Sequence, residues 1–199
     1  ELEKVQPGTL RFAVTGGGRV ASGALEILDA AGIRQVSPES YLTESFDHSV
    51  YTRLDPWHYT RRKDGSAFDF GHFVEHPGEY KNGLHPYAGK TDVFIASHFW
   101  DPNSPQMLTA EDFASGRFPI QWVSDISCDI GEPIASTIRP STIADPYYGF
   151  DPSDGSETDA FAADAITVMA VDNLPGELPR DAATDFGNAL VKYVIPEVL

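Results

Sequence analysis

Three consecutive glycines, Gly16-Gly17-Gly18, follow the apolar run Leu10-Arg11-Phe12-Ala13-Val14 and precede Arg19-Val20-Ala21. Without a Cβ, glycine turns the chain tightly and lets a ligand approach the backbone closely. An apolar run, a glycine turn and then a helix-forming segment from Val20 to Ala31 reproduce the G-x-G-x-x-A layout. In that layout main-chain amides at a helix start hold a diphosphate. Gly16 serves the turn and Gly18 the close approach, while the small Ala21 and Gly23 let the helix lie against a sheet. The free N–H groups and partial positive charge of the helix start suit anionic oxygens. Arg19 is either a phosphate partner or a solvated first-turn arginine, and Val20 opens the helix beside it.

Other candidates stand just after apolar runs. Ser37 follows Ile33 to Val36, where such folds place an acid for the ribose 2′-hydroxyl; Ser37 is neutral and Glu39 is two residues on. Arg53, Arg61, Arg62 and Lys63 put four cations within eleven positions, which suits a 2′-phosphate or a solvated turn. Phe99, in Ser97-His98-Phe99-Trp100, offers an aromatic plane to a cofactor ring or caps the core. His98 reads as a hydrogen-bonded structural histidine. Ile126 and Asp129 follow the next apolar run, and Asp129 can orient a ribose, a nicotinamide or a substrate ammonium, or cap the following segment. Cys128 reads as a small buried residue, with no cation beside it to make it a nucleophile. Val171-Asp172-Asn173-Leu174 closes the series; the Asn173 amide both donates and accepts, as a carboxamide requires, or fixes a turn with Pro175.

Composition removes several classes. The net charge of -16, from 30 acidic and 14 basic side chains, argues against nucleic acid as a partner. No stretch reaches the ~20 apolar residues of a membrane-spanning helix. The six histidines show no H-E-x-x-H spacing, so no metal is expected. A serine-hydrolase elbow and a P-loop lysine are both missing. The single cysteine allows no internal disulfide, which suits the cytoplasm or a mitochondrial matrix. The chain begins with Glu1 and reads as a processed or partial chain.

The elements that position these residues follow from periodicity. Strands are expected at 9–15, 33–36, 92–96, 121–126 and 165–171, with 33–36 running parallel to the first by a right-handed crossover. The first helix should bury Val20, Ala24, Ile27, Leu28 and Ala31 and end at Gly32. A short helix begins at Thr109, its N-cap, with Asp112 completing a capping box. The last helix runs from about Arg180 to Val194, buries Ala182, Phe186, Leu190 and Tyr193, and ends at Pro196. Residues 43–90, polar and aromatic, are too long for a connection and read as an insertion; residues 130–160 read as loops. The resulting fold class is α/β, a Rossmann-like doubly wound parallel sheet with an inserted aromatic and polar segment. Residues 1–199 form one such domain, and its ligand lies at the carboxyl ends of the strands.

Several runs also carry a family resemblance: Gly16 to Ala24, His76-Pro77-Gly78-Glu79-Tyr80, Leu108-Thr109, Ser124-Asp125-Ile126-Ser127-Cys128-Asp129 and Val171 to Pro179. The chain resembles the nucleotide-binding domain of lysine-forming saccharopine dehydrogenases, including the lysine–ketoglutarate reductase half of the bifunctional lysine-degrading enzyme. Arg61-Arg62-Lys63-Asp64-Gly65 is similar to the reductase branch. The resemblance implies a cofactor domain similar to those of alanine dehydrogenase and transhydrogenase, binding NAD or NADP. It implies that Gly18 and Arg19 contact the diphosphate, and that Phe99 and Ile126 line the cleft. Val171, Asp172, Asn173 and Leu174 would then surround the nicotinamide end. It further implies that an amino-terminal domain, absent from this sequence, supplies the catalytic residues and most of the amino-acid substrate site. The expected activity is that of an oxidoreductase part acting on the CH–NH group of saccharopine. The alternatives are a stand-alone NAD(P)-binding or sensing module and another amino-acid dehydrogenase, such as one like alanine dehydrogenase.

Overall fold

The computed structural model describes residues 8–198. β1 (Arg11–Thr15) runs into the glycine turn, and α1 (Arg19–Ala30) leaves it. Next come β2 (Arg34–Gln35), α2 (Pro38–Thr43), β3 (Val50–Leu54) and α3 (Pro56–Tyr59). A small antiparallel hairpin of β4 (Thr60–Arg62) and β5 (Tyr80–Asn82) brackets α4 (Phe70–Glu75). Then follow α5 (His85–Ala88), β6 (Val93–Ala96), α6 (Ala110–Ala114) and β7 (Trp122–Asp125). The chain continues through β8 (Tyr147–Phe150), β9 (Glu157–Thr158), β10 (Ile166–Met169) and α7 (Pro179–Ala189). It ends in a wider π-turn over Leu190–Val194 and α8 (Ile195–Val198).

Eight strands form one sheet in the order β2-β3-β1-β6-β7-β10-β8-β9. The first six are mutually parallel; β8 and β9 are antiparallel at one edge. The expected α/β fold with a mostly parallel sheet is therefore present. Five of the expected strands and the capped helix at Thr109 are found, the latter with Thr109 Oγ1 accepting from the Asp112 N–H at 3.0 Å.

Four expectations need correction. Residues 43–90 are not a single insertion, because β3 lies within them and pairs with both β1 and β2. Its β-branched and aromatic run, Val50-Tyr51-Thr52-Arg53-Leu54, is almost wholly buried, which puts it inside the sheet. The strand beside β1 is thus β3, and β2 is displaced to the edge. Residues 130–160 are not all loop: they contribute β8 and β9, which pair with each other, and β8 also pairs with β10. In α1, Ala21 and Leu28 are buried, but Val20 and Ile27 are 52% and 56% exposed. The helix is rotated so that Ala21, whose side chain is small, makes the close approach; Gly23 faces open space. The last helix buries none of its expected face, with Phe186 65% and Tyr193 64% exposed. It also runs on through Pro196, where the π-turn precedes a residue that has no N–H to give an α-helical bond.

The core divides between the two faces of the sheet. Ala13, Val50, Leu54, Phe94 and Val123 meet Tyr59, Leu84, Tyr87, Leu108 and Ile134 on one face. On the other, Phe12, Val14 and Tyr51 meet Ala21, Leu28 and Ile33 of the α1 crossover. The segment between β3 and β6 therefore packs on the face opposite α1 and rises above the carboxyl edge of the sheet.

Candidate functional site

The carboxyl ends of β1, β3 and β6 meet at the glycine turn. Gly16 has φ +107° and donates its N–H to the Leu54 carbonyl at 2.9 Å. A Cβ there would lie 2.5 Å from the Ser97 carbonyl oxygen, so only glycine fits between the ends of β1 and β6. At Gly17 an added Cβ would meet Asp55 Oδ1 at 2.6 Å. Gly18 has nothing within 4 Å of that position. It is the N-cap of α1 and supplies no side-chain cap, so the first amides of a twelve-residue helix face open space. An uncapped helix start with a side-chain-free approach is the geometry that accepts a phosphate.

A cavity of about 490 Å³ opens directly over this turn. Its polar rim is Gly16 to Gly18, Asp55, Ser97 and His98; its apolar wall includes Trp57, Tyr59, Phe70, Phe73 and Phe99. Phe99 is 89% exposed, so it does not cap the core. Phe68, Phe73 and Tyr80 form their own aromatic cluster, with ring centroids 4.9 to 5.7 Å apart, and this cluster supports α4 as the outer wall. The aromatic segment therefore both packs on itself and lines the cavity.

Asp55 is the residue that sequence reasoning missed. It directly follows β3, the strand next to β1, as the N-cap of α3, and is 8% exposed. That is the topological position from which an acid reaches a ribose. The strand-forming run before it and Pro56 after it were the available signal. Asp55 Oδ2 accepts from Arg53 Nη2 at 3.2 Å, and its N–H donates to His58 Nδ1 at 2.9 Å. Burial lowers the pKa of His58, which agrees with a ring that accepts this bond at Nδ1. Asp55, Arg53 and His58 also line a neighbouring recess of about 360 Å³ with Ser37. Ser37 is the N-cap of α2, and its Oγ accepts from the Ser40 N–H at 3.0 Å. The four clustered cations separate in space. Arg61 bonds the carbonyls of Trp57 and Thr60, Arg62 pairs with Asp64, and Lys63 donates to the Gly78 carbonyl. Of the four, only Arg53 lines the recess.

The ends of β7 and β10 carry the remaining candidates. Ile126 continues the edge by donating its N–H to the Ala96 carbonyl at 2.9 Å. The buried Asp125 carboxylate accepts from Ser127 Oγ at 2.6 Å, the Cys128 N–H at 3.0 Å and Thr137 Oγ1 at 2.7 Å. These bonds hold Cys128 at φ 53°, outside glycine the one positive φ among the described residues. Cys128 Sγ contacts the Ala170 carbonyl at 3.2 Å, joining this loop to the strand end that carries Val171. Burial raises the thiol pKa, and Asp125, Asp172 and Asp129 raise it further, which disfavours the thiolate. Burial, with Asp125 nearby, also raises the Asp129 pKa. Val171 is buried, Asp172 and Asn173 are exposed, and Leu174 is half-buried beyond them. Arg19 is exposed and lines a separate groove with Pro175, Ala182, Asp185 and Phe186 of the carboxyl-terminal segment. Among the described residues no group of three potential metal ligands occurs, and no helix is long and apolar enough to cross a membrane.

A mostly parallel sheet with an uncapped glycine turn at its carboxyl edge defines a Rossmann-like domain. The solved structure of an L-alanine dehydrogenase shares this fold, with a TM-score of 0.50 and 15% identity over 96% of this chain and 43% of that one. In sequence the chain is similar to proteins named alpha-aminoadipic semialdehyde synthase. It is 30% identical over 209 residues to the Arabidopsis thaliana protein, covering 93% of this chain and 19% of that one. With the mitochondrial protein of Bos taurus it shares 29% identity, covering 96% and 23%. The chain thus spans about a fifth of the length of these relatives. No family model matches it.

Proposed function

We propose that residues 1–199 form the nicotinamide dinucleotide-binding domain of an oxidoreductase of lysine metabolism that acts on the CH–NH group of saccharopine. The observation that carries this reading is the glycine turn: amides without a cap, no atom in front of Gly18, and an acid at the end of the adjacent strand. The relatives named alpha-aminoadipic semialdehyde synthase support the pathway, and the mitochondrial name of the Bos taurus protein suits an organelle matrix. The nicotinamide ring, when bound, supplies hydride transfer. This chain's residues bind and orient it. The α1 amides take the diphosphate, Asp55 and Arg53 take the adenosine ribose, and Ile126, Asp129 and Val171 to Leu174 flank the nicotinamide end. The catalytic residues and the amino-acid site belong to a further domain, as the size of the relatives supports.

Both NAD and NADP suit the pair at the ribose position, Asp55 through a 2′-hydroxyl and Arg53 through a 2′-phosphate. Calorimetry with NADH and NADPH tests the reading. Saturable heat with either at up to about 1 mM, some 4 kcal/mol of binding, is expected. Its absence with both would end the proposal.

A further inference from the structure

Two polar side chains in the wall of the cavity lack partners. His98 is 5% exposed and Ser97 8%. His98 Nδ1 lies 2.7 Å from Thr15 Oγ1, which pins the ring to the end of β1. Its Nε2 makes no hydrogen bond, and neither does Ser97 Oγ. Buried polar atoms are almost always paired, and an unpaired one is costly. Both residues line the 490 Å³ cavity with the glycine turn and Asp55. An apolar pocket with a few convergent polar groups is the usual form of a small-molecule site.

We propose that His98 Nε2 and Ser97 Oγ are contacts for a sugar hydroxyl of the nucleotide bound in this cavity. The assignment rests on the dinucleotide reading above. The choice of a hydroxyl follows from the Thr15 contact. If Thr15 donates to Nδ1, Nε2 carries the proton and donates; if Nδ1 donates to Thr15, Nε2 accepts. A hydroxyl serves either arrangement, whereas a phosphate oxygen only accepts. Burial holds the ring uncharged near neutral pH, its pKa lowered to about 4, so it is not a cation for the diphosphate. That task stays with the α1 amides. The apolar faces of Tyr59, Phe70 and Phe73 then cover the flat part of the same nucleoside. Phe70 and Val74 of the outer wall are each 61% exposed.

The test titrates the protein with NADH, and with NADPH in parallel. His98→Ala should weaken binding about tenfold, a loss of about 1.4 kcal/mol. His98→Gln, whose amide reaches toward the same position, should stay within about threefold of wild type, a loss of under about 0.7 kcal/mol. Because a buried substitution can unfold the protein, the wild type supplies a second reading. In a long-range proton–nitrogen spectrum of histidine-labelled protein, the His98 Nε2 resonance should move on saturation with NADH. Wild-type binding that is unchanged in folded His98→Ala, or an Nε2 resonance that stays in place at saturation, overturns the assignment and leaves the dinucleotide reading intact. Absence of binding by the wild type overturns both.

Discussion

Exchanging the two outer glycines of the turn separates folding from binding. Gly18→Val places a side chain where the structure has no atom within 4 Å. The Gly18 backbone, φ -90° and ψ -171°, is open to any residue. Valine is a poorer N-cap than glycine by under about 1 kcal/mol, and its stiffer unfolded chain returns about 0.4–1 kcal/mol, so stability should barely change. The side chain does, however, fill the space in front of the α1 amides. Losing two charge-assisted hydrogen bonds at about 1.5 kcal/mol or more each removes at least about 3 kcal/mol, a hundredfold in affinity. Gly16→Ala behaves in the opposite way. A positive φ costs a residue with a Cβ about 1–2 kcal/mol, and the new carbon sits 2.5 Å from a backbone oxygen, which adds about 1–3 kcal/mol of overpacking. Urea unfolding should then show a loss of about 2–5 kcal/mol. The assays are urea titration and NADH calorimetry on both variants. A Gly18→Val protein that binds NADH as tightly as wild type refutes the phosphate role of the turn. A Gly16→Ala protein as stable as wild type refutes the packing argument.

Other consequences are equally direct. His98 has a folded pKa of about 4 against an ordinary 6.5, so the unfolded chain binds the extra proton first as pH falls; its contribution is complete above pH 6.5 and lost on descent to 4. Between pH 7 and 5 the wild type should lose about 2 kcal/mol more stability than His98→Gln in urea titrations at each pH; equal losses would contradict a buried neutral imidazole. Asp125→Asn replaces a carboxylate that accepts three hydrogen bonds by an amide that must place an NH₂ against donors. A loss of about 2–4 kcal/mol in urea unfolding is expected, and a neutral outcome would show that the loop after β7 is held by other contacts. Arg53→Gln should weaken NADPH about tenfold and NADH by less than about threefold, read by calorimetry, because only the 2′-phosphate needs the cation. Phe186→Ser should cost under about 0.5 kcal/mol, since the ring is 65% exposed; a larger loss in urea would reveal packing along the last helix.

The sequence by itself determined the parts whose physics is local. The glycine turn between β1 and α1 was legible because only glycine tolerates that backbone, and the Thr109 capping box because its bonds span three residues. The strands at 92–96, 121–126 and 165–171 declared themselves as apolar β-forming runs. Placing Phe99, Ile126, Asp129 and Val171 to Leu174 at strand ends needed no more than the rule for parallel sheets. Tertiary structure alone decided which strand lies next to β1, because a pairing between residues 11–15 and 50–54 leaves no mark in either segment. That pairing puts Asp55, and not the neighbourhood of Ser37, at the end of the strand next to β1. It likewise decided which apolar residues are covered. Periodicity gives a helix an apolar stripe, but the burial of Ala21 and the exposure of Val20, Ile27 and Phe186 depend on what packs against the helix. The unpaired His98 Nε2 is also invisible in sequence, for a missing partner is a property of the surroundings and not of the residue.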